Sequence, residues 1–178
     1  MSGIATITNK FVKEVSDTSC KILDTRKTTP GWRKLEKYAV LCGGGTNHRM
    51  GLYDMVMIKD NHIASLSKTT ETPIREAVIR ARKVVGKSKK IIIEVDTLIQ
   101  MVEALSIDPD VILLDNMDIQ KLKKAVQLRN KTMPKILLEA SGGVNLKTVK
   151  KIAKTGVDRI SIGCLTHSVK SLDIGLDS

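Results

Sequence analysis

The sequence has few aromatic residues: Phe11, Trp32, Tyr38 and Tyr53 are the whole supply in 178 positions. A protein that stacks single-stranded bases needs a platform of rings, so that class is poorly served. Cysteine is scarce too. Cys20, Cys42 and Cys164 are odd in number, widely spaced and form no C-x-x-C pair. This excludes a disulfide framework or zinc ribbon and fits a reducing compartment; small buried hydrophobes is the simplest reading of all three. No apolar run exceeds about five residues, whereas a membrane span needs ~20. The first residues, Met1 to Thr6, lack the basic and apolar regions of a secretory leader. These absences predict a soluble, cytoplasmic protein with no membrane partner.

What is present is a foldable composition, 42% hydrophobic and 28% charged, sufficient to bury a core. Thirty Lys and Arg against nineteen Asp and Glu give a net charge of +11, which raises nucleic acid as a partner. Much of the excess falls on helix faces, as in Arg80, Arg82, Lys83 and Lys87, or Lys147, Lys150, Lys151 and Lys154. With so few aromatics, a solvated outer face is the simpler reading, and no nucleic-acid partner is expected.

A short β-branched run, a polar or glycine-rich stop and an amphipathic helix recur along the chain. The runs are 21–23, 55–58, 91–93, 111–114, 136–138 and 159–162. The later ends are 21 to 24 residues apart, which suits one strand, two tight loops and a short helix. Ile74, Ala77, Val78, Ala81, Val84 and Val85 form one helical stripe behind Thr72 and Pro73. Thr97, Asp118 and Asn145 are placed to cap three more helices, the last ended by Gly156, and Ile4, Ile7, Phe11 and Val15 suggest another before the first strand. Strands apolar on both faces and alternating with helices mean a parallel sheet covered by helices. Periodicity does not separate an open doubly wound sheet from a barrel. A complete barrel needs ~250 residues, so six units predict an α/β fold of the incomplete, open TIM-like kind, as one domain over 1–178.

Parallel α/β folds place their chemistry at the carboxyl ends of the strands. Those ends read Asp24 to Thr28, Lys59 to His62, Glu94 to Asp96, Asp115-Asn116, Glu139 to Gly143 and Gly163 to His167. Six charged or glycine-rich ends on one rim indicate an enzyme. Arg26, Lys27 and Lys59, joined by His48 and Arg49 from the loop after Gly43, make a cationic cluster that calls for an anion. Ser141-Gly142-Gly143 before a helix, and Gly163 one unit later, look like phosphate cradles. Glu94 and Asp115, acidic among cations, hold Mg²⁺ through water, accept hydrogen bonds from sugar hydroxyls, or instead neutralise Lys59 and Lys27.

These segments resemble the quinolinate phosphoribosyltransferases, also called carboxylating nicotinate-nucleotide pyrophosphorylases. The similarity is carried by 22–31, 35–40, 43–49, 58–62, Glu94-Val95, 113–116, 139–143 and 165–168. A molybdenum-associated family shares the Asp24 to Thr28 and Gly43 to Gly45 segments, but Lys59-Asp60-Asn61-His62 is more similar to the quinolinate enzymes. The resemblance implies phosphoribosyl transfer from PRPP to quinolinate with decarboxylation, giving nicotinate mononucleotide, CO₂ and pyrophosphate, with Mg²⁺ as cofactor. It implies that Arg26, His48, Arg49 and Lys59 bind quinolinate. Lys27, Glu94, Asp115, Ser141, Gly142, Gly143, Gly163 and His167 would take PRPP, with Lys27, Lys59, Glu94 and Asp115 the catalytic set and Glu94 and Asp115 the metal's. The family also implies a homo-oligomer, and an amino-terminal domain that closes the neighbouring site and donates an arginine. This sequence begins after that domain, so weak or no activity by itself is expected. The alternatives are an anion-binding module without catalysis, or an assembly half that joins a separate amino-terminal partner.

Overall fold

The computed structural model describes residues 1–176. In chain order the elements are α1 (Ser2–Glu14), β1 (Lys21–Leu23), α2 (Arg33–Cys42), β2 (Val56–Ile58), α3 (Asp60–Leu66), α4 (Pro73–Val85), β3 (Ile91–Val95), α5 (Leu98–Leu105), β4 (Val111–Asp115), α6 (Ile119–Thr132), β5 (Leu137–Ser141), α7 (Val149–Ala153), β6 (Arg159–Ser161) and α8 (Cys164–His167). All six β-branched runs are strands.

The strands form one parallel sheet in the order β1-β6-β5-β4-β3-β2. A doubly wound sheet reverses direction at a switch point; this order runs one way and brings the first strand beside the last, as in a barrel. The β1 and β2 edges are not paired with each other, so the barrel is open there. The two faces of the sheet confirm the single winding. Ile93, Val95, Ile112, Leu114, Leu138, Ala140 and Ile160 pack with the helices into the main core. The alternate residues Ile92, Val111 and Leu113 join Met55, Met57 and Leu137 in a small inner cluster. Because side chains alternate along a strand, each inner face reads apolar and then acidic: Ile92 then Glu94, Leu113 then Asp115, Leu137 then Glu139. The apolar rungs plug the floor, and the carboxylates stand at the mouth.

Capping follows the sequence in part. Thr97 and Gln100 form a capping box at α5, and Asp118 accepts from the Lys121 N–H at 2.8 Å to start α6. Thr72 stands at the N-cap of α4 without a side-chain bond. Asn145 does not begin α7. Its side chain accepts from the Lys147 N–H at 2.9 Å in a turn, and the helix starts at Val149, with Lys154 rather than Gly156 as its C-cap. Asn, as often, prefers the local turn to the helix.

At the opposite rim, an aspartate just before a strand repeatedly anchors the preceding strand. Asp110 accepts from the Ile91 N–H and the Arg82 guanidinium, each at 2.8 Å. Asp158 accepts from the Leu138 N–H at 2.7 Å and from buried Arg129 at 2.8 Å. Asp158→Ala leaves Arg129, 6% exposed, without its anion. It is expected to lower the unfolding free energy by about 2–3 kcal/mol, read by urea denaturation, without changing the chemistry at the far rim.

Candidate active site

The open edge of β1 determines how the site is built. The loop after α2 runs beside it: the Thr46 N–H donates to Ile22 O at 2.8 Å and the Asp24 N–H to Thr46 O at 3.3 Å. Gly45 is required because a Cβ there would lie 2.8 Å from both Thr8 Cγ2 and Val40 Cγ1. This seating delivers His48 and Arg49 to the barrel mouth, and a buried polar knot holds them there. Asp24 and Lys37, both fully buried, form an ion pair. Asp24 also accepts from the His48 N–H at 2.8 Å, while Lys37 donates to His48 O at 3.0 Å. Turning the Asn47 amide so that its nitrogen faces inward lets it donate to Asp24 at 2.7 Å and to the Lys37 carbonyl at 2.9 Å. Burial pushes the Asp24 carboxyl up, against the opposing pull of Lys37 and the His48 amide. On the other flank, Arg33 bonds Thr28 at 3.0 Å and the Arg26 and Met50 carbonyls at 3.3 Å. Thr166 donates to Lys27 O at 2.6 Å, fixing the segment that carries Arg26 and Lys27.

These elements surround a cavity of about 620 Å³ at the carboxyl ends of the strands. Arg26, Lys27, His48, Arg49, Lys59, Glu94, Asp115, Ser141, Gly142, Gly143, Gly163 and His167 all line it. Of the 59–62 segment only Lys59 reaches the cavity; Asp60 to His62 open α3, where His62 Nδ1 accepts from the Lys59 N–H at 3.0 Å. Arg49 is 8% exposed and bonds Met55 O at 3.2 Å. Burial, then the Arg26 cation nearby, lowers its affinity for its proton, with Asp54 opposing. Two guanidinium groups held together in this way favour an anion between them. Arg26 Nε and His48 Nε2 are buried with no hydrogen-bond partner among the described residues, so both offer unspent donors.

Lys59 is paired with Glu94 at 2.7 Å, the neutralising arrangement anticipated as one of two roles for Glu94. Asp115 is not paired with Lys27; it accepts from Asn116 Nδ2 at 2.7 Å. Asn116, at φ 51°, lies across Gly142, where a Cβ would come 2.0 Å from Asn116 Oδ1. The sequence places a helix start behind Ser141-Gly142-Gly143, but α7 begins only at Val149 and has five residues. An anion there would meet the loop and not a helix end. The N–H groups of Gly142, Gly143 and Val144 have no partner among the described residues, and φ of 93° and 59° at the two glycines is a backbone that only glycine adopts without strain.

In the sequence, Asp24 and Glu139 gave a signal as charged strand ends but no individual role. Lys37 gave none, because lysine is almost never fully buried.

The cysteines differ in reactivity. Cys42 is exposed, Cys164 lines the cavity, and Cys20 is buried with its thiol pushed up to about 12, by burial first and then by Asp158. Alkylation followed by mass spectrometry is expected to label Cys42 first and Cys20 last.

A sequence model described as "Quinolinate phosphoribosyl transferase, C-terminal domain" matches residues 4–177. The chain belongs to this family. It is 47% identical over 177 residues to the nicotinate-nucleotide pyrophosphorylase [carboxylating] of Mycobacterium leprae, covering 99% of this chain and 60% of that protein. It is 49% identical to the probable enzyme of that name from Bacillus subtilis, covering 99% and 58% respectively. The crystal structure of nicotinate-nucleotide pyrophosphorylase from Ehrlichia chaffeensis superposes with a TM-score of 0.88 at 53% identity, over 98% of this chain and 61% of that one. The chain thus spans about 60% of the length of the relatives it matches. No helix among the described residues is long and apolar enough to cross a membrane.

Proposed function

We propose that this chain is the catalytic barrel of a quinolinate phosphoribosyltransferase. It would join the phosphoribosyl group of PRPP to the quinolinate nitrogen, release pyrophosphate, and lose CO₂ to give nicotinate mononucleotide. One observation carries the reading: a single cavity juxtaposes unspent cationic donors, strand-end carboxylates and a loop of free amides. Arg26, His48, Arg49 and Lys59 bind the two carboxylates of the pyridine diacid. Lys27, Gly142, Gly143, Gly163, Ser141 and His167 hold the phosphates of the donor. As the nitrogen–C1 bond forms and the C1–oxygen bond to pyrophosphate breaks, positive charge develops on the ribose and negative charge on the leaving group. Glu94 and Asp115 stabilise the first, and the cations stabilise the second. Fixing two anionic reactants side by side contributes an orientation benefit of up to ~7–11 kcal/mol. No nucleophilic side chain is needed.

Glu94 and Asp115 are also the residues that would hold Mg²⁺. They are two carboxylates, and no group of three or more His, Cys, Asp or Glu side chains encloses a cation among the described residues. An ion held by two carboxylates would take its remaining ligands from water and donor phosphates. Held there, the ion would supply charge neutralisation to the departing pyrophosphate.

A homo-oligomer is part of this reading. Helix α2 and its N-cap Trp32 turn Trp32, Leu35, Tyr38 and Leu41 to solvent at 48–65% exposure, while Glu36, Lys37, Ala39 and Val40 are buried. Those exposed apolar residues support an apolar contact with another chain. The test of function is nicotinate mononucleotide formed from quinolinate, PRPP and Mg²⁺, with and without an added amino-terminal domain of the family. Product is expected when that domain is present. No product with the domain present contradicts the proposal.

A further inference from the structure

The cavity floor holds a group that the proposed chemistry leaves unused. Glu139, on the inner face of β5, is fully buried, and neither carboxylate oxygen has a hydrogen-bond partner among the described residues. Beside it, His48 Nε2 stands 3.3 Å from Glu139 Oε1, too poorly aligned to count as a hydrogen bond.

The other ring nitrogen is occupied. The Arg49 N–H donates to His48 Nδ1 at 2.7 Å, and a nitrogen that accepts a hydrogen bond carries no proton. The ring proton therefore sits on Nε2. The His48 backbone is pinned on both sides, by Asp24 at its N–H and Lys37 at its carbonyl. A flipped ring would turn carbon toward both the Arg49 amide and the Glu139 carboxylate.

We propose that Glu139 is a positioning residue that, together with the Arg49 amide, holds His48 as its Nε2–H tautomer, a fixed hydrogen-bond donor at the cavity floor. His48 then donates to an oxygen of the bound ligand and does not serve as a base. That this oxygen belongs to a pyridine carboxylate rests on the proposed function; the tautomer does not.

The chain has three histidines, His48, His62 and His167, so nitrogen-15 histidine NMR of the ligand-free chain resolves each ring, with His48→Asn giving the assignment. The expected spectrum shows His48 protonated at Nε2 and bare at Nδ1. Glu139→Gln and Glu139→Leu, checked for folding by thermal unfolding, are expected to shift population toward the Nδ1–H form. A wild-type ring protonated mainly at Nδ1, or an unchanged tautomer in both folded variants, overturns the proposal, and the wild-type spectrum requires no variant to fold. A quinolinate titration of the same sample separates the two readings. Nε2–H without any response to quinolinate supports the positioning role and contradicts the substrate.

Discussion

Lys37→Met is expected to lower the unfolding free energy by about 3–5 kcal/mol, the usual cost of stranding one partner of a buried ion pair. Both members of the Lys37–Asp24 pair are fully buried, so water cannot replace the lost ammonium. Changing Asp24 to Asn in the same chain removes the stranded charge and is expected to restore much of the loss, because desolvating the pair is itself costly. The pH dependence follows from Asp24. Burial already raises its carboxyl above the ordinary value of 3.8, so the folded state binds that proton more tightly than the unfolded chain. The stability this provides is complete below the ordinary carboxylate value and is lost as pH rises through the raised one. Removing Lys37 deletes an opposing influence, so the deficit in Lys37→Met is expected to be smaller in mildly acidic buffer than at neutral pH. Urea unfolding at the two pH values measures it. The variant also frees the His48 carbonyl and loosens the loop at the barrel mouth.

Glu94→Gln and Asp115→Asn are each expected to reduce turnover by about 10²–10³-fold when the chain is assayed with the family's amino-terminal domain. The unfolding midpoint is expected to move little. Both carboxylates end strands at the mouth rather than in the packed floor, and the Lys59 partner of Glu94 is 44% exposed, so the pair adds little stability. The same two variants separate catalysis from simple anion binding. A module that only binds polyphosphate would tolerate removal of negative charge, or bind its anion more tightly. Retained turnover in both variants contradicts the transferase roles of Glu94 and Asp115.

The alternating strand and helix pattern made the six strands legible, because buried parallel strands demand β-branched runs and each helix needs an apolar stripe. Open barrel against doubly wound sheet was not legible from periodicity; the pairing of β1 with β6 decides it, and no local pattern encodes that contact. Helix α2 escaped detection for a physical reason. It buries Glu36 and Lys37 beside Ala39 and Val40 and exposes Leu35, Tyr38 and Leu41, so polar and apolar residues are mixed on both faces and no clean apolar stripe marks it. The Ser141-Gly142-Gly143 loop was found through its glycines, but the helix expected behind it starts at Val149 because Asn145 and Thr148 bond to each other first. The cationic rim was visible because strand ends converge in any parallel α/β fold. The supporting knot beneath it was not, since a lysine with no exposed surface breaks the rule by which buried positions are read.

The most direct measurement is calorimetric titration of quinolinate, with Mg²⁺ and PRPP, into this chain and into Arg49→Gln. Quinolinate is expected to bind the wild-type chain and to weaken by about 10–100-fold in the variant, the loss of one charged hydrogen-bonding group. No heat with either compound, or equal affinity in the two proteins, would contradict a cationic rim built for a pyridine diacid.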